Sequence, residues 1–214
     1  GRGSPYPRTL TSPRCLCAAC QPPDVMRLGL FADVHDHLEH LRRAVACFNA
    51  ADCETVLFAG DLVATFAVPP LRKLACPFVG CYGDNEGNKP GLQAGISIIG
   101  RLEEAPVRWR SPDGLRFVLV HMERQLRSLP PDEEFDVALC GHTHRPSVTQ
   151  WSHGRLKINP GEVSGWTFGN PTLMLFETST REARLVSLRD DGGWEGGWEA
   201  ASPACAVQPA GEPA

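Results

Sequence analysis

Two packed β-sheets with helices outside them are the architecture this α/β sequence predicts. Three observations predict it. Apolar strand-like runs alternate with a helical period through Tyr82. From Ile96 to Leu188 short strand signals follow one another with little helical period between them. Carboxylates and imidazoles collect where the apolar runs stop.

The first run, Val25 to Phe31, is short and apolar on both faces, as a buried strand is. His37 to Ala50 carries Leu38, Leu41, Val45 and Phe48 at helical spacing, one face of an amphipathic helix. Thr55 to Ala59 is a second buried strand. Pro69 and Pro70 open a second helix through Leu71 and Leu74, since proline is tolerated in a first helical turn. Phe78 to Tyr82 is the third strand. Further strands are expected at Ile96–Ile99, Val107–Trp109, Leu115–Val120, Phe135–Cys140, Arg155–Ile158, Thr172–Phe176 and Arg184–Leu188. The last mixes apolar and polar positions, as a half-exposed strand does.

These elements define one domain, 26–189, with a flexible extension at 1–25 and a disordered Gly-, Pro- and Ala-rich tail at 190–214. Met26 opens the first strand and stands as a candidate start codon. At 214 residues the chain is long enough for a substantial core. Its formal net charge is -4, from 21 basic and 25 acidic residues, which argues against a general electrostatic grip on nucleic acid or anionic lipid. No stretch approaches the roughly 20 apolar residues of a membrane helix. The N-terminus has arginines but no apolar signal region, so a cytoplasmic protein without a membrane partner is expected. Nine cysteines in no even framework read as reduced thiols, and Cys15, Cys17 and Cys20 lack the further partners of a four-ligand zinc site.

The chemistry sits at five strand ends: Asp33-Val-His35, Gly60-Asp61, Gly83-Asp84-Asn85-Glu86, His121, and Gly141-His142-Thr-His144. In open α/β sheets, ligands bind where strands end at their carboxyl sides. Each piece alone is weak, since Gly-Asp often marks a turn and Asp-x-His a cap. Together they place Asp33, His35, Asp61, Asp84, His121, His142 and His144 as metal ligands. Mixed oxygen and nitrogen donors suit Mn, Fe, Zn, Co or Ni, and seven ligands are too many for one tetrahedral ion. Two divalent ions sharing a bridging carboxylate are expected, with Mn the leading choice.

The ordered set, with Asn159-Pro-Gly161 behind it, resembles the calcineurin-like metallophosphoesterases, in particular the small single-domain phosphodiesterases that also resemble a retromer subunit. The resemblance covers about 26–185. It implies a four-layer αββα sandwich of two facing mixed β-sheets flanked by helices. It implies that Asp33, His35 and His144 hold one metal, Asp84, His121 and His142 the other, and that Asp61 bridges both. It implies that residues 159–162 form a loop whose backbone supports the site. Catalytic roles fall to Asp61, Asp84, Asn85 and His121. Two-metal logic adds the expected reaction: hydrolysis of a phosphate diester by in-line attack of a hydroxide held between the ions. The substrate is expected to be a small phosphate ester. The resemblance also raises a homodimer.

Three departures stand out. Asp84 replaces the Asn usual in that family, and the added negative charge is expected to tighten metal binding and weaken attraction for phosphate. Asn85 stands where larger phosphatases of the family carry a histidine, so it supplies no general acid and esters with acidic leaving groups are expected to turn over best. Met122 follows His121 where Gly is common, and its side chain is expected to narrow the pocket. His37 is open between a locally hydrogen-bonded helix-start residue and a phosphate contact. His40 and His153 read as surface residues. Trp109, Trp151 and Trp166 read as packing residues rather than base-stacking platforms. Two other functions stay open: a phosphomonoesterase acting on nucleotides or phosphoproteins, and a non-catalytic scaffold of the same fold.

Overall fold

The computed structural model describes residues 26–189; the expected extension 1–25 and tail 190–214 lie outside them. Strand β1 (Arg27–Phe31) leads into helix α1 (Leu38–Ala50), followed by β2 (Thr55–Phe58), the single turn α2 (Val68–Leu71), β3 (Phe78–Cys81), α3 (Lys89–Ile96) and β4 (Gly100–Glu103). Seven strands follow: β5 (Val107–Arg110), β6 (Arg116–Leu119), β7 (Val137–Leu139), β8 (Ser147–Gln150), β9 (Leu156–Asn159), β10 (Thr172–Glu177) and β11 (Glu182–Ser187).

The strands form two mixed sheets, ordered β11-β10-β1-β2-β3-β4 and β5-β6-β7-β9-β8. Within the first, β1 through β4 run parallel; within the second, β6, β7 and β9 do. The strand period of two sorts the core. Leu28, Leu30, Leu57 and Val79 face Phe117, Leu119, Val137 and Ile158 between the sheets. Phe31, Val56, Phe58 and Phe78 point the other way and pack under Leu41, Val45 and Phe48 of α1. Val118, Val120 and Ala138 cover the outer side of the second sheet beneath a 3-10 helix, Glu123–Ser128, so the layer there is thinner than the helices over the first sheet.

Two expected elements change and one strand is added. The segment Ile96–Ile99, expected as a strand, ends α3 and turns toward β4. Asn88 caps α3, its Oδ1 accepting from Gly91 N at 3.0 Å, and Pro90 lies in its first turn; this start signal outweighs the β-branched run. Ile96 is buried in the core from the helix and Ile98 is 69% exposed, the one-sided burial of a helix end rather than of a buried strand. Strand β8, absent from the sequence reading, is polar because it lies at a sheet edge and pairs only with β9. The second helix stops at Leu71 rather than reaching Leu74.

Candidate metal centre

The parallel strands carry their carboxyl ends to one edge of the sandwich, and the seven sequence-predicted residues meet there. Asp33 and His35 follow β1, Asp61 follows β2, Asp84 follows β3, His121 follows β6, and His142 and His144 follow β7. Asp33 and Asp61 are buried, as is His121; His35 and His144 are half-buried, while Asp84 and His142 are exposed. Three donor groups result: Asp33 with His35 and His144, Asp84 with His121 and His142, and Asp33 with Asp61 and His121. Within each, one donor atom per residue lies within 4.8 Å of the others. Asp61 Oδ2 stands 3.4 Å from His35 Nε2 and 3.4 Å from His121 Nε2, midway between the first two groups.

The backbone is bent to aim these side chains. Five of the seven have φ in the left-handed region: Asp33 at 53°, His35 at 43°, Asp61 at 71°, His142 at 68° and His144 at 61°. Non-glycine residues reach that region at a cost, and such strain concentrates where function requires it. The turns are held by backbone hydrogen bonds between strand ends. Asp33 N donates to Gly60 O at 2.9 Å, and His35 N to Asp61 O at 3.0 Å. Gly83 leaves the room that the Asp61 carboxylate occupies, since a Cβ there would lie 2.0 Å from Asp61 Oδ1.

Asp61 is the most tightly oriented of the set. Its Oδ1 accepts from the backbone N–H groups of Asp84 and Asn85 at 3.0 and 3.1 Å, and its Oδ2 from the Asn85 side-chain amide at 2.8 Å. Burial alone would raise its carboxyl pKa, but the contact with His121 and the Asn85 hydrogen bonds outweigh burial and hold it well below the ordinary range. Glu86 braces the same turn from behind, Oε1 accepting from Asp61 N at 2.8 Å and Leu62 N at 3.2 Å.

The donors fit a cation. His121 Nδ1 lies 2.7 Å from Ala59 O and carries its proton there, so Nε2 presents a lone pair. That buried Nε2 makes no hydrogen bond, although Asp84 Oδ1 is 2.8 Å away and Asp61 Oδ2 3.4 Å. Acceptors crowding one another in this way call for a positive charge between them. Without a metal the need falls on the ring itself: burial opposes protonation, but Asp61 overrides it and brings the His121 pKa up to about 9. His144 is prepared likewise. Its Nδ1 lies 2.8 Å from Glu162 Oε2, and its Nε2 is 3.3 Å from His35 Nε2 and 3.5 Å from Asp33 Oδ1.

Residues 159–162 support the site through side chains more than through the backbone the resemblance implied. Asn159 Nδ2 donates to Gly141 O at 2.9 Å and to Thr143 Oγ1 at 3.0 Å, tying down the loop of His142 and His144. Glu162, fully buried, accepts from Ser164 Oγ, Thr167 N and Phe168 N besides its contact with His144. Burial would raise its carboxyl pKa; His144 and the backbone donors outweigh it and lower the value. The sequence motif contained Glu162 without revealing its role, because the residue acts through a loop with no periodicity.

Outside the donor set, two side chains, His40 and Trp166, differ from their sequence reading. His37 caps α1, Nδ1 accepting from His40 N at 3.2 Å, which is the helix-start role. His40 is half-buried rather than a surface residue, its Nδ1 shared between Val163 O and Ser164 O at 3.0 Å each. His153 is exposed as expected. Trp109 packs on Phe117 and Trp151 on Phe135, with ring centroids 5.3 and 6.2 Å apart. Trp166 does not pack into the core: it is 66% exposed beside the site. Met122 is half-buried directly after His121. Cys47, Cys53, Cys81 and Cys140 are buried free thiols and Cys76 a half-buried one; burial pushes Cys47 and Cys140 up to about 12, leaving them protonated and unreactive. No helix among the described residues is long and apolar enough to cross a membrane.

Fold and donor set together define a phosphoesterase that works with divalent metal. The chain belongs to the calcineurin-like phosphoesterase superfamily, whose domain it matches over residues 26–181, and is a metal-dependent phosphoester hydrolase. It is 31% identical over 171 residues to a phosphodiesterase of Methanocaldococcus jannaschii, covering 76% of this chain and 99% of that one. The solved structure of an archaeal phosphodiesterase is similar at 29% identity and a TM-score of 0.70, covering 76% of this chain and 99% of its own. Zinc-complexed Vps29 from Entamoeba histolytica shares the fold at 20% identity and a TM-score of 0.53, covering 77% of this chain and 94% of its own, in keeping with the retromer-like resemblance.

Proposed function

We propose that this hydrolase is a binuclear phosphodiesterase. The observation that carries the reading is the position of Asp61 Oδ2, 3.4 Å from an imidazole of each donor group, where one carboxylate reaches both. Asp33, His35 and His144 would hold one ion, Asp84, His121 and His142 the second, with Asp61 shared and manganese the leading choice of metal. Such a pair, when bound, supplies a hydroxide nucleophile near neutral pH and neutralises charge growing on the phosphoryl oxygens.

The protein's own groups do the positioning. Asn85 and the backbone N–H groups of Asp84 and Asn85 lock the Asp61 carboxylate, leaving its geometry little freedom. Ala59 O and Glu162 hold the protons of His121 and His144 on Nδ1, so each ring turns Nε2 inward. Asn85 cannot give a proton to a departing oxygen at accessible pH, so the leaving group departs as an anion. That favours diesters with acidic leaving groups over alkyl monoesters. The phosphodiesterase named among the relatives supports the same choice.

The test strips the protein with chelator, restores manganese, and follows a chromogenic phosphodiester beside the corresponding monoester, with Asp61→Ala in parallel. Metal-dependent diester turnover that vanishes in the variant is expected. Faster turnover of the monoester, or full activity in Asp61→Ala, overturns the reading.

A further inference from the structure

We propose that Trp166 is a specificity-determining residue: its exposed indole is the face on which a nucleobase of the phosphodiester substrate stacks. The inference deepens the proposed phosphodiesterase function and rests on it. Most exposed large apolar side chains need no explanation, but this one is held rigidly at the rim of the candidate metal centre. The indole N–H donates to His35 O at 3.2 Å, and the ring lies against His37 with centroids 4.7 Å apart. Its neighbour Thr167 places Oγ1 3.0 Å from His144 Nδ1. The loop thus touches two candidate ligands of the same metal, and 66% of Trp166 still faces solvent.

Rigidity separates a platform from a stray side chain. Glu162 takes the backbone N–H of Thr167 at 3.0 Å and of Phe168 at 2.7 Å, and His40 holds the carbonyls of Val163 and Ser164. A ring fixed in this way loses little conformational entropy when a ligand stacks on it. Phe168, 48% exposed, adds a second ring on the same loop, with the Arg145 guanidinium 4.8 Å from its centre. Arg145 follows His144 directly, is exposed, and makes no ion pair among the described residues. A planar ring, a neighbouring cation and a candidate phosphate site match the parts of a nucleotide: base, phosphate charge and reacting ester. An acyl chain would use neither the ring's flat face nor the cation.

Two p-nitrophenyl diesters with the same leaving group test it, one carrying thymidine 5′-phosphate and the other ethyl phosphate. The ratio of their kcat/KM values, nucleoside over ethyl, is expected to be high in the wild type and to fall on the order of tenfold in Trp166→Ala. Trp166→Phe keeps an aromatic face without the indole N–H and is expected to keep the ratio. If Trp166 served only to brace His35, Trp166→Ala would slow both esters alike and Trp166→Phe would resemble it. An unchanged ratio in Trp166→Ala, or no preference in the wild type, overturns the proposal. Equilibrium dialysis of thymidine 5′-monophosphate provides a readout without turnover, with roughly tenfold weaker binding expected in Trp166→Ala. If neither diester is hydrolysed but that difference in binding holds, the phosphodiesterase reading falls and the platform stands. If both diesters are hydrolysed without preference and binding is unchanged, the platform alone falls.

Discussion

The buried carboxylate of Glu162 meets Nδ1 of His144 at 2.8 Å, and the contact sets which nitrogen of that imidazole faces the candidate metal centre. The same carboxylate gathers Ser164, Thr167 and Phe168, so one side chain both aims a ligand and fixes the loop that carries Trp166.

Removing that contact is expected to weaken metal binding without removing a ligand. Supporting partners of ligating histidines are typically worth about 10–100-fold in metal affinity or activity. Glu162→Gln should therefore lose about tenfold in manganese affinity by calorimetric titration, and Glu162→Ala more, because it also frees the loop. Affinity equal to wild type in both variants would mean that His144 is oriented by something else.

Asp84 lies 2.8 Å from His121 Nε2 and adds a negative charge to the site. Three carboxylates and one hydroxide would cancel the charge of two divalent ions. Asp84→Asn is accordingly expected to bind manganese more weakly and to show a lower KM for phosphodiesters. A lower metal affinity with an unchanged KM would sink the charge argument while leaving Asp84 a ligand.

Asn85 is engaged with Asp61 Oδ2 at 2.8 Å and has no proton to give a leaving group. General acids contribute about 10²–10⁴-fold where they act. Across phosphodiesters of rising leaving-group pKa, turnover should fall steeply, with simple alkyl esters at least about 10²-fold below aryl ones. A flat dependence would reveal an unrecognised proton donor.

Away from the centre, Arg116 grips Asp136 through Nε at 3.0 Å and NH2 at 3.2 Å, with Arg116 N donating to the same carboxylate. The Arg116 side chain lowers the Asp136 pKa below its ordinary value, more than burial raises it. The unfolded chain then binds the proton more readily, so this contribution to stability is present above about pH 4 and is lost as pH falls through the folded pKa. The melting-temperature difference between wild type and Asp136→Asn should be full at neutral pH and shrink toward acid. A difference independent of pH would remove the carboxylate from the account.

The sequence by itself determined the candidate donor set and much of the fold. Continuous apolar runs stop just before Asp33, Asp61 and Asp84, and parallel strands necessarily bring their carboxyl ends to one edge. Residue type and position along the chain were therefore enough to gather the donors. The tertiary structure decided what surrounds them. That His40 pins the 163–164 backbone and that Trp166 stays in solvent depend on α1 and on the turn after β1, more than a hundred residues away in sequence, while Glu162 turns inward onto His144 and the backbone of its own loop. Loop residues carry no period, and the indole that reads as core by composition is held outside by a hydrogen bond to a carbonyl that only the folded chain brings near. The edge strand β8 and the helix α3 escaped for related reasons: one has no second neighbour to require apolar residues, and the other is decided by its cap rather than by the isoleucines at its end.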